Sequence, residues 1–303
     1  MRQFSAICSR NLKIYLRDWG SIFFSFLSML IVIGLMMIFL GDVTVDSILD
    51  AVKMIPGRGG KEDADAAANL IYLWTIGGII AINASTITLA FYSNMIKDRN
   101  GNRLNSILVM PINRAVIVAG YIISAWVVSV VMGIITLFVT EGIGVARGIE
   151  MFTFTEHLEL MMITMVNSLV YSAVMYFFAS LIKTEGAWSG FGIVVGTLVG
   201  FLGGIYFPIG SLSDTVANVV KCFPMIYGTS LYRNVMMKRG VSDFLQGAPE
   251  GVDAILKEKM GITLSVFEKS LSTGEELVIL IGVGALFALL SVVYVKFCKK
   301  TDR

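Results

Sequence analysis

Charged residues are scarce in this chain. Of its 303 residues only 15% are charged and 56% are hydrophobic, and the mean hydropathy is +0.78. Soluble globular domains carry roughly 25% charged residues, so the composition excludes a soluble α/β enzyme. Proline is also rare, with five residues, whereas 19 phenylalanines exclude an intrinsically disordered chain.

Residues for metal or catalytic chemistry are equally few. Three cysteines and one histidine leave too little for a zinc site or a disulfide framework. The P-loop pattern G-x-x-x-x-G-K-[ST] is missing, because Gly60-Lys61 is followed by Glu62. A serine hydrolase centre at Ser189 is implausible, because His157 belongs near the opposite membrane face. We therefore expect no catalytic centre and no metal on this chain, and no nucleic-acid partner.

Long uncharged segments dominate what is present. Six segments contain no Asp, Glu, Lys or Arg, and each has 19 residues or more. A helix of about 20 apolar residues crosses a bilayer, and only a helix satisfies its own backbone there. The segments are Ile22–Leu40, Leu70–Ile96, Ala115–Thr140, Leu160–Ile182, Ala187–Phe207 and Leu277–Val295. The sequence therefore predicts an all-α, polytopic membrane protein, with six transmembrane helices in one domain over 1–303.

Charge asymmetry predicts the orientation of these helices. With six spans both termini lie on one side, together with residues 97–114 and 183–186. That side carries 13 of the 24 Lys and Arg but only four of the 22 Asp and Glu. Because short cytoplasmic loops are rich in Lys and Arg, we expect both termini in the cytoplasm. Residues 208–276, after the fifth span, then form an extracellular cap segment.

The N-terminal residues have the pattern of an amphipathic helix. Its apolar face comprises Phe4, Ile7, Cys8, Leu12, Tyr15, Leu16 and Trp19. Arg10, Lys13 and Arg17 take another face, which is typical of a helix lying in the lipid headgroup region. An ordinary juxtamembrane basic stretch is the alternative.

The cytoplasmic loop 97–111 carries a second short helical pattern. Arg103–Met110 can form two turns that Pro111 stops, and Leu104, Ile107 and Leu108 make a small apolar face. A loop surrounded only by water gains no stability from an apolar face. We therefore expect it to contact a partner protein or the lipid surface.

Two spans carry polar side chains on one face. These are Asn83, Thr86 and Ser93 in the second span and Thr164, Asn167, Ser168, Tyr171 and Ser172 in the fourth. Hydrogen bonds between helices explain such sets as well as the lining of a substrate path does. For the path, the candidates are Asn83, Thr86, Ser93, Asn167, Ser168 and Tyr171.

Four glycines recur at every fourth position of the fifth span. Gly192, Gly196, Gly200 and Gly204 are predicted to form one stripe on its face. Small residues at this spacing let helix backbones approach closely in lipid, so we expect a tight helix contact there. Glycine is also common in membrane helices generally, and the spacing does not identify the partner helix.

Four sequence features together resemble the permease subunit of type-2 ABC transporters, in the exporter-like class. They are R-N-L-K-I-Y-L-R-D (Arg10–Asp18), L-V-M-P-I-N-R (Leu108–Arg114), F-L-G-G-I-Y-F-P-I-G-S-L (Phe201–Leu212) and C-F-P-M-I-Y-G (Cys222–Gly228) with Arg233 after it. In the family this loop usually has an acidic cluster before Gly-Thr, followed by another acid. Here only Asp98 and Gly101 match that pattern.

The resemblance implies a set of parts and partners. By the resemblance, residues 2–18 form a connecting helix on the lipid bilayer. Residues 97–111 form a coupling segment that contacts a separate ABC-type ATPase. The segment after span five becomes outer re-entrant helices. A second permease, identical or homologous, completes a dimer, with the glycine stripe at its centre. ATP and Mg bind the partner ATPase and no cofactor binds this chain. The coupling residues are then Asp98, Gly101, Arg103, Leu104, Ile107, Leu108 and Pro111.

The sequence-based hypothesis is an ATP-driven exporter subunit in a plasma membrane, and the resemblance implies a bacterial one. Uncharged span faces favour a hydrophobic or amphipathic compound: a drug, antimicrobial peptide, lipid or glycan-linked molecule. One alternative is a non-transporting immunity or sensor module that binds a peptide or lipid at its external segments. An ion-coupled carrier is a third class, which the absence of charged residues within the spans disfavours.

Overall fold

The structure, a computed structural model, describes residues 2–35, 60–101, 113–245, 251–266 and 269–297. Long helices dominate these ranges. The first six are α1 (Arg2–Arg17), α2 (Trp19–Leu35), α3 (Lys61–Asn100), α4 (Arg114–Ala146), α5 (Phe154–Leu181) and α6 (Glu185–Leu202). A 3₁₀ turn (Ile209–Ser211) then precedes α7 (Asp214–Lys221), α8 (Pro224–Met236), α9 (Lys238–Phe244) and α10 (Val252–Lys259). An antiparallel pair of two-residue strands, β1 (Ser265–Val266) and β2 (Lys269–Ser270), leads into α11 (Thr273–Phe297).

Five of these helices, α3, α4, α5, α6 and α11, are long and apolar enough to cross a membrane. They correspond to the second to sixth predicted spans, and the chain is therefore a multi-pass membrane protein. The first predicted span, Ile22–Leu40, is helical as far as Leu35, and the rest lies outside the described residues. The count of six spans stays a prediction.

Helix α3 is longer than the sequence pattern predicts. It covers 40 residues, with Glu62 and Asp63 in its first turn and Lys97 and Arg99 in its last. Both sets of charges suit the helix dipole. At about 1.5 Å per residue the helix is about 60 Å long, twice the hydrocarbon thickness of a bilayer. Its ends therefore extend beyond the apolar layer.

The core forms around α3. This helix packs against α2, α4, α5, α6, α8 and α9, and its most apolar window is 83% buried. One buried cluster joins α3 to α5, α8 and α11, and a second joins it to α1, α4 and α5. The corresponding windows of α6 and α11 are only 17% buried. These two helices therefore offer most of their apolar surface to lipid or to another chain.

Contacts define two ends of the helix bundle. At the first, which we name the α1 end, Arg10 of α1 pairs with Asp98 near the end of α3, and further bonds join the last residues of α3, α5 and α11 with the first residues of α4 and α6. At the opposite end lie the short helices α7 to α10, between α6 and α11. The segment 208–276 is thus mostly helical where the structure describes it.

Candidate functional site

The N-terminal helix α1 rests on the side of α4. Ile7 and Tyr15 are buried there. Gly120 of α4 permits the close approach, since a Cβ atom at this position would lie 2.8 Å from Ile7 Cγ2. The helical and amphipathic pattern predicted for residues 2–18 agrees with this packing, although protein covers part of the apolar face.

Arg10, on the predicted charged face of α1, is partly exposed and bonds within the subunit. Its Nη2 donates to Asp98 Oδ2 of α3, and its Nη1 donates to Asn11 Oδ1 at 3.2 Å. The Asp98 side chain is only 8% exposed, and a buried carboxylate is costly unless it is paired. Arg10 supplies that partner, whereas Lys13 and Arg17 are exposed. The position of this face in the lipid headgroup region stays a prediction.

Only two of the predicted coupling residues lie in the described part of the chain. Asp98 pairs with Arg10, and Gly101 ends α3 with its N–H donating to Lys97 O at 2.9 Å. The remaining five lie outside the described residues: Arg103, Leu104, Ile107, Leu108 and Pro111. Contact of this segment with an ATPase stays a prediction.

Two arginines that sequence analysis did not single out flank the same segment. Arg99 Nη1 donates to the last carbonyls of α5, at 2.7 Å to Ile182 O and 3.2 Å to Ala179 O. Arg114 Nη1 donates to Val295 O near the end of α11 at 3.1 Å. Carbonyls at helix C-termini lack intrahelical partners and carry partial negative charge. Both arginines therefore cap helices that are distant in sequence, which no local pattern reveals.

The polar side chains of the second span bond mainly to neighbouring helices. Asn83 Nδ2 donates to Thr136 Oγ1 of α4 at 2.9 Å. Ser93 Oγ accepts from Trp188 Nε1 of α6, also at 2.9 Å. Thr86 instead bonds within its own helix, at 3.1 Å to Asn83 O. The side chains of Asn83 and Ser93 thus form hydrogen bonds between helices, which is one of the two interpretations of this polar face.

The polar side chains of the fourth span are buried. Asn167 Nδ2 donates to Ala81 O at 2.8 Å, and Ser129 Oγ donates to Ser168 Oγ at 3.0 Å. Asn167 Oδ1 and the Tyr171 hydroxyl have no hydrogen-bond partner in the part of the chain that the structure describes. All three candidates from this span face the interior of the subunit in this conformation. Their role in a substrate path stays a prediction.

The glycine stripe is shorter than predicted. Helix α6 ends at Leu202, and Gly204 lies in the following turn with φ +61°, so it is not part of the helix face. This left-handed conformation is open to glycine at little cost. The turn forms because Gly203 N and Gly204 N bond back to α6, and Gly204 O faces Arg233.

The other stripe glycines differ in their surroundings. At Gly200 a Cβ atom would lie 2.3 Å from the Tyr206 ring, and at Gly192 it would lie 3.2 Å from Leu89 of α3. At Gly196 it would meet nothing within 4 Å. Two glycines thus serve contacts within the subunit, and Gly196 lies on a surface that the subunit leaves open.

Arg233 of α8 is a fully buried cation near the opposite end. Its guanidinium donates to three backbone carbonyls: Gly204 O at 2.7 Å, Trp74 O at 3.2 Å and Met260 O at 3.3 Å. It also lies 4.1 Å from the centroid of the Trp74 ring, a cation–π contact. One side chain therefore ties α8 to α3, to the turn after α6 and to the residue after α10.

Glycines form the walls of the Arg233 site. A Cβ atom at Gly77 would lie 3.1 Å from Arg233 Cγ, and one at Gly78 would lie 3.3 Å from its Nη2. Gly261 would approach Nη1 at 3.4 Å. The close packing of α8 on α3 therefore depends on the absence of side chains at these positions.

A second polar site lies where α8 meets the start of α11. Ser230 Oγ is 2.9 Å from both Ile262 O and Glu276 Oε1, and Glu276 Oε2 has no hydrogen-bond partner among the described residues. A serine hydroxyl has one hydrogen to donate. Both bonds can therefore form together only if an un-ionised Glu276 donates to Ser230 Oγ while Ser230 donates to Ile262 O.

Charged residues gather where α4 ends and α5 begins. His157 Nε2 lies 2.8 Å from Glu141 Oε2, whose carboxylate also accepts from Phe152 N at 2.9 Å. Arg239 Nη2 donates to Glu156 Oε2 at 2.8 Å. These bonds fasten the turn between α4 and α5 and attach α9 to it. The only histidine of the chain thus has a carboxylate partner rather than a serine.

Among the described residues, no group of three or more His, Cys, Asp or Glu is placed to hold a metal ion. A comparison with curated proteins gives no match. Residues 58–293, most of the chain, match the family model described as ABC-2 family transporter protein. That range begins just before α3 and ends within α11, so it includes the spans α3 to α6 and most of α11. Five membrane helices and this match together show that the chain belongs to the ABC-2 transporter family, as a permease subunit of an ABC transporter.

Proposed function

We propose that this permease subunit belongs to an exporter, and that a separate ABC-type ATPase drives it through the coupling segment 97–111, at its loop part (102–111) after α3. The observation that carries the proposal is the bonding on either side of that loop part. Asp98 and Arg99 before it hold α1 and α5, and Arg114 after it holds α11. A force on the segment therefore reaches helices throughout the bundle, as coupling to a motor subunit requires.

The proposal puts the α1 end in the cytoplasm. Lys13 and Arg17 are exposed on α1, and Lys97 is exposed at the end of α3. Cytoplasmic loops of membrane proteins concentrate such cations. Helices α7 to α10 at the opposite end then form the outer cap segment.

We further propose a second permease against α6. The exposed apolar side chains of this helix include Ile193, Val194, Leu198 and Phe201, and Gly196 lies among them with open space at its Cβ position. Small and apolar residues on one helix suit packing against another helix in lipid. Because Asn167, Ser168 and Tyr171 are buried within the subunit, a path for an amphipathic substrate fits better between two copies.

The direct test uses the apolar face of the coupling segment. Leu104→Asp with Leu108→Asp should remove the ATPase from the purified complex, or uncouple its activity, while membrane insertion continues. Asn102→Asp is the matched control, because it adds negative charge to the same segment outside that face. Unchanged assembly and unchanged coupled transport in the double variant would contradict the coupling role.

Vesicle transport separates the exporter from the sensor module. Exporter function predicts that substrate stimulates the ATPase and accumulates in inverted vesicles in an ATP-dependent manner. A module that binds a peptide or lipid predicts binding without accumulation. Gradient-dependent flux without an ATPase would instead support an ion-coupled carrier.

A further inference from the structure

We propose that Arg99 and Asn100 form a mechanical link between the loop part of the coupling segment, residues 102–111, and the start of α6, through the short turn that joins α5 to α6. Both residues are positioning residues for transport: they pass movement of residues 102–111 to α6. The inference rests on the proposed function, since it takes that segment as the part that the ATPase moves.

The first contact of the link is the cap that Arg99 provides for α5. Its Nη1 lies within hydrogen-bond distance of Ile182 O (2.7 Å), Ala179 O (3.2 Å) and Ser180 O (3.4 Å). A cation at a helix C-terminus is favoured by the helix dipole. Arg99 is only three residues before the loop part, so it follows that part closely in any displacement.

The second contact involves Asn100, the last residue of α3. With its amide oriented to suit its neighbours, Asn100 donates to Lys183 O at 2.9 Å and accepts from Glu185 N at 3.2 Å. The connection between α5 and α6 is only three residues long, from 182 to 184. Asn100 therefore bridges this turn from its middle to the first residue of α6.

The turn itself has little freedom to absorb movement. Ile182 N donates to Phe178 O at 3.0 Å, which continues α5 into the turn. Thr184 Oγ1 accepts from Ala187 N at 3.3 Å and so caps the start of α6. Bonds from both helices thus hold the residues that Arg99 and Asn100 contact.

A third contact lies two turns further along α3. Trp188 Nε1 of α6 donates to Ser93 Oγ at 2.9 Å, and the Trp188 side chain is buried. Past this point α6 is largely exposed. The start of α6 is thus fixed to the end of α3, while its other end is held separately by the bond from Arg233 to Gly204 O. Displacement of the end of α3 therefore moves the start of the helix whose exposed face we assign to the second permease.

Arg99→Gln tests the link in the complete complex with its ATPase. The variant removes the cation from the α5 carbonyls but keeps a polar side chain of moderate size. We expect normal assembly, continued ATP hydrolysis and a fall of about fivefold or more in substrate transported per ATP. Arg99→Lys retains the charge and should restore much of the ratio. Lys296→Gln removes an exposed cation at the same end of the bundle, in the last turn of α11; it is the control and should leave the ratio unchanged.

A label at the start of α6 reports the link independently of transport. Gly186 has open space at its Cβ position, so Gly186→Cys can carry a spin label without a clash. ATP binding should change the label's environment in the wild-type complex and not in the Arg99→Gln complex. If Arg99→Gln prevents assembly, Asn100→Ala removes the second contact with a milder change and should give the same loss.

The possible outcomes separate a failure of the proposed link from a failure of the proposed export function. A wild-type complex that moves the label with ATP but exports nothing contradicts the proposed export, while loss of that movement in Arg99→Gln still supports the link. Equal transport per ATP and equal label movement in wild type and Arg99→Gln overturn the link. A fall in transport that merely parallels a fall in hydrolysis also overturns it, because that pattern reflects general damage.

Discussion

The guanidinium of Arg233 lies 4.1 Å from the centroid of the Trp74 ring, and its Nε donates to the carbonyl of the same tryptophan. One residue of α3 thus contacts the cation through both its ring and its backbone. Trp74 Nε1 in turn donates to Met260 O at 2.7 Å, and Met260 O also accepts from Arg233 Nη1. The two side chains and one carbonyl form a closed set of contacts that joins α3, α8 and the end of α10.

Arg233→Met should strongly destabilise the subunit. Methionine fills similar space but donates no hydrogen bond, so Gly204 O loses this donor, while Met260 O keeps the bond from Trp74 Nε1. A buried polar group left unsatisfied costs about 1–3 kcal/mol and a desolvated cation–π contact about 2 kcal/mol, so we expect a loss of about 3 kcal/mol in the free energy of unfolding. Thermal denaturation in detergent is the measurement.

Arg239→Met is the control for this change. Arg239 is partly exposed and its bonds to Glu156 and Glu150 lie near the surface, where ion pairs are worth little. Similar losses in the two variants would show that the buried carbonyl contacts of Arg233 are not what stabilises this end of the molecule.

Hydropathy and charge were enough to predict the membrane helices, because a span of about 20 uncharged residues has few alternative structures. The positions of α4, α5 and α11 follow the predicted segments closely. The end of the fifth span was placed five residues too late, at Phe207. Hydropathy does not detect the turn at Gly203 and Gly204, because the residues of this turn are as apolar as those of the helix.

The sequence does not predict contacts between residues that are far apart along the chain. Helical periodicity places Arg10 on the charged face of α1 and contains no information about Asp98, 88 residues away. The sequence does not single out Arg99 or Arg114 either, since their acceptors are backbone carbonyls with no side-chain signature. Polar residues such as Asn83 and Ser93 were recognised, but only the packing of the helices shows which neighbours they bond.

Glu276→Gln should leave the subunit stable, whereas Glu276→Ala should not. The glutamine amide can donate to Ser230 Oγ as an un-ionised carboxyl does, so the chain from residue 276 through Ser230 to Ile262 O persists. Alanine removes the donor and leaves a cavity. We expect a lower midpoint of thermal unfolding for Glu276→Ala only.

Glu275 provides the control for that pair. It is the preceding residue, more exposed, and bonds to Lys269 and Ser272 at the surface. Glu275→Ala should have a much smaller effect than Glu276→Ala. If Glu276→Gln is as unstable as Glu276→Ala, the carboxyl is ionised in the folded protein and the proposed hydrogen-bond direction is wrong.

Cys222 offers a test of the membrane orientation without an introduced residue. It is exposed just after α7, in the segment that we assign to the outer side. A membrane-impermeant thiol reagent added to intact cells should therefore label it. Cys222→Ser should abolish this labelling, because the other two cysteines belong to the α1 end: the Cys8 thiol contacts Gly120 O, and Cys298 follows α11 directly in the sequence. Labelling that requires inverted vesicles would reverse the orientation.

Gly196→Leu tests the contact between two permeases on α6. A Cβ atom at this position meets nothing within 4 Å among the described residues, so a side chain can leave the α6 backbone here without meeting the described part of its own copy. Against a second helix it would push the backbones apart and lose dispersion contacts. We therefore expect a smaller dimer fraction in detergent and weaker substrate stimulation of the ATPase, with an unchanged unfolding temperature of the monomer.

Two other glycines of α6 make this test specific. Gly190 also has open space at its Cβ position but lies off the stripe, so Gly190→Leu should preserve the dimer. Gly200→Ala should act differently, because its Cβ atom would lie 2.3 Å from the Tyr206 ring and so lower the stability of the subunit itself. Equal dimer fractions for Gly196→Leu and Gly190→Leu would mean that the stripe is not the contact between the permeases. The open space at Gly196 would then face lipid.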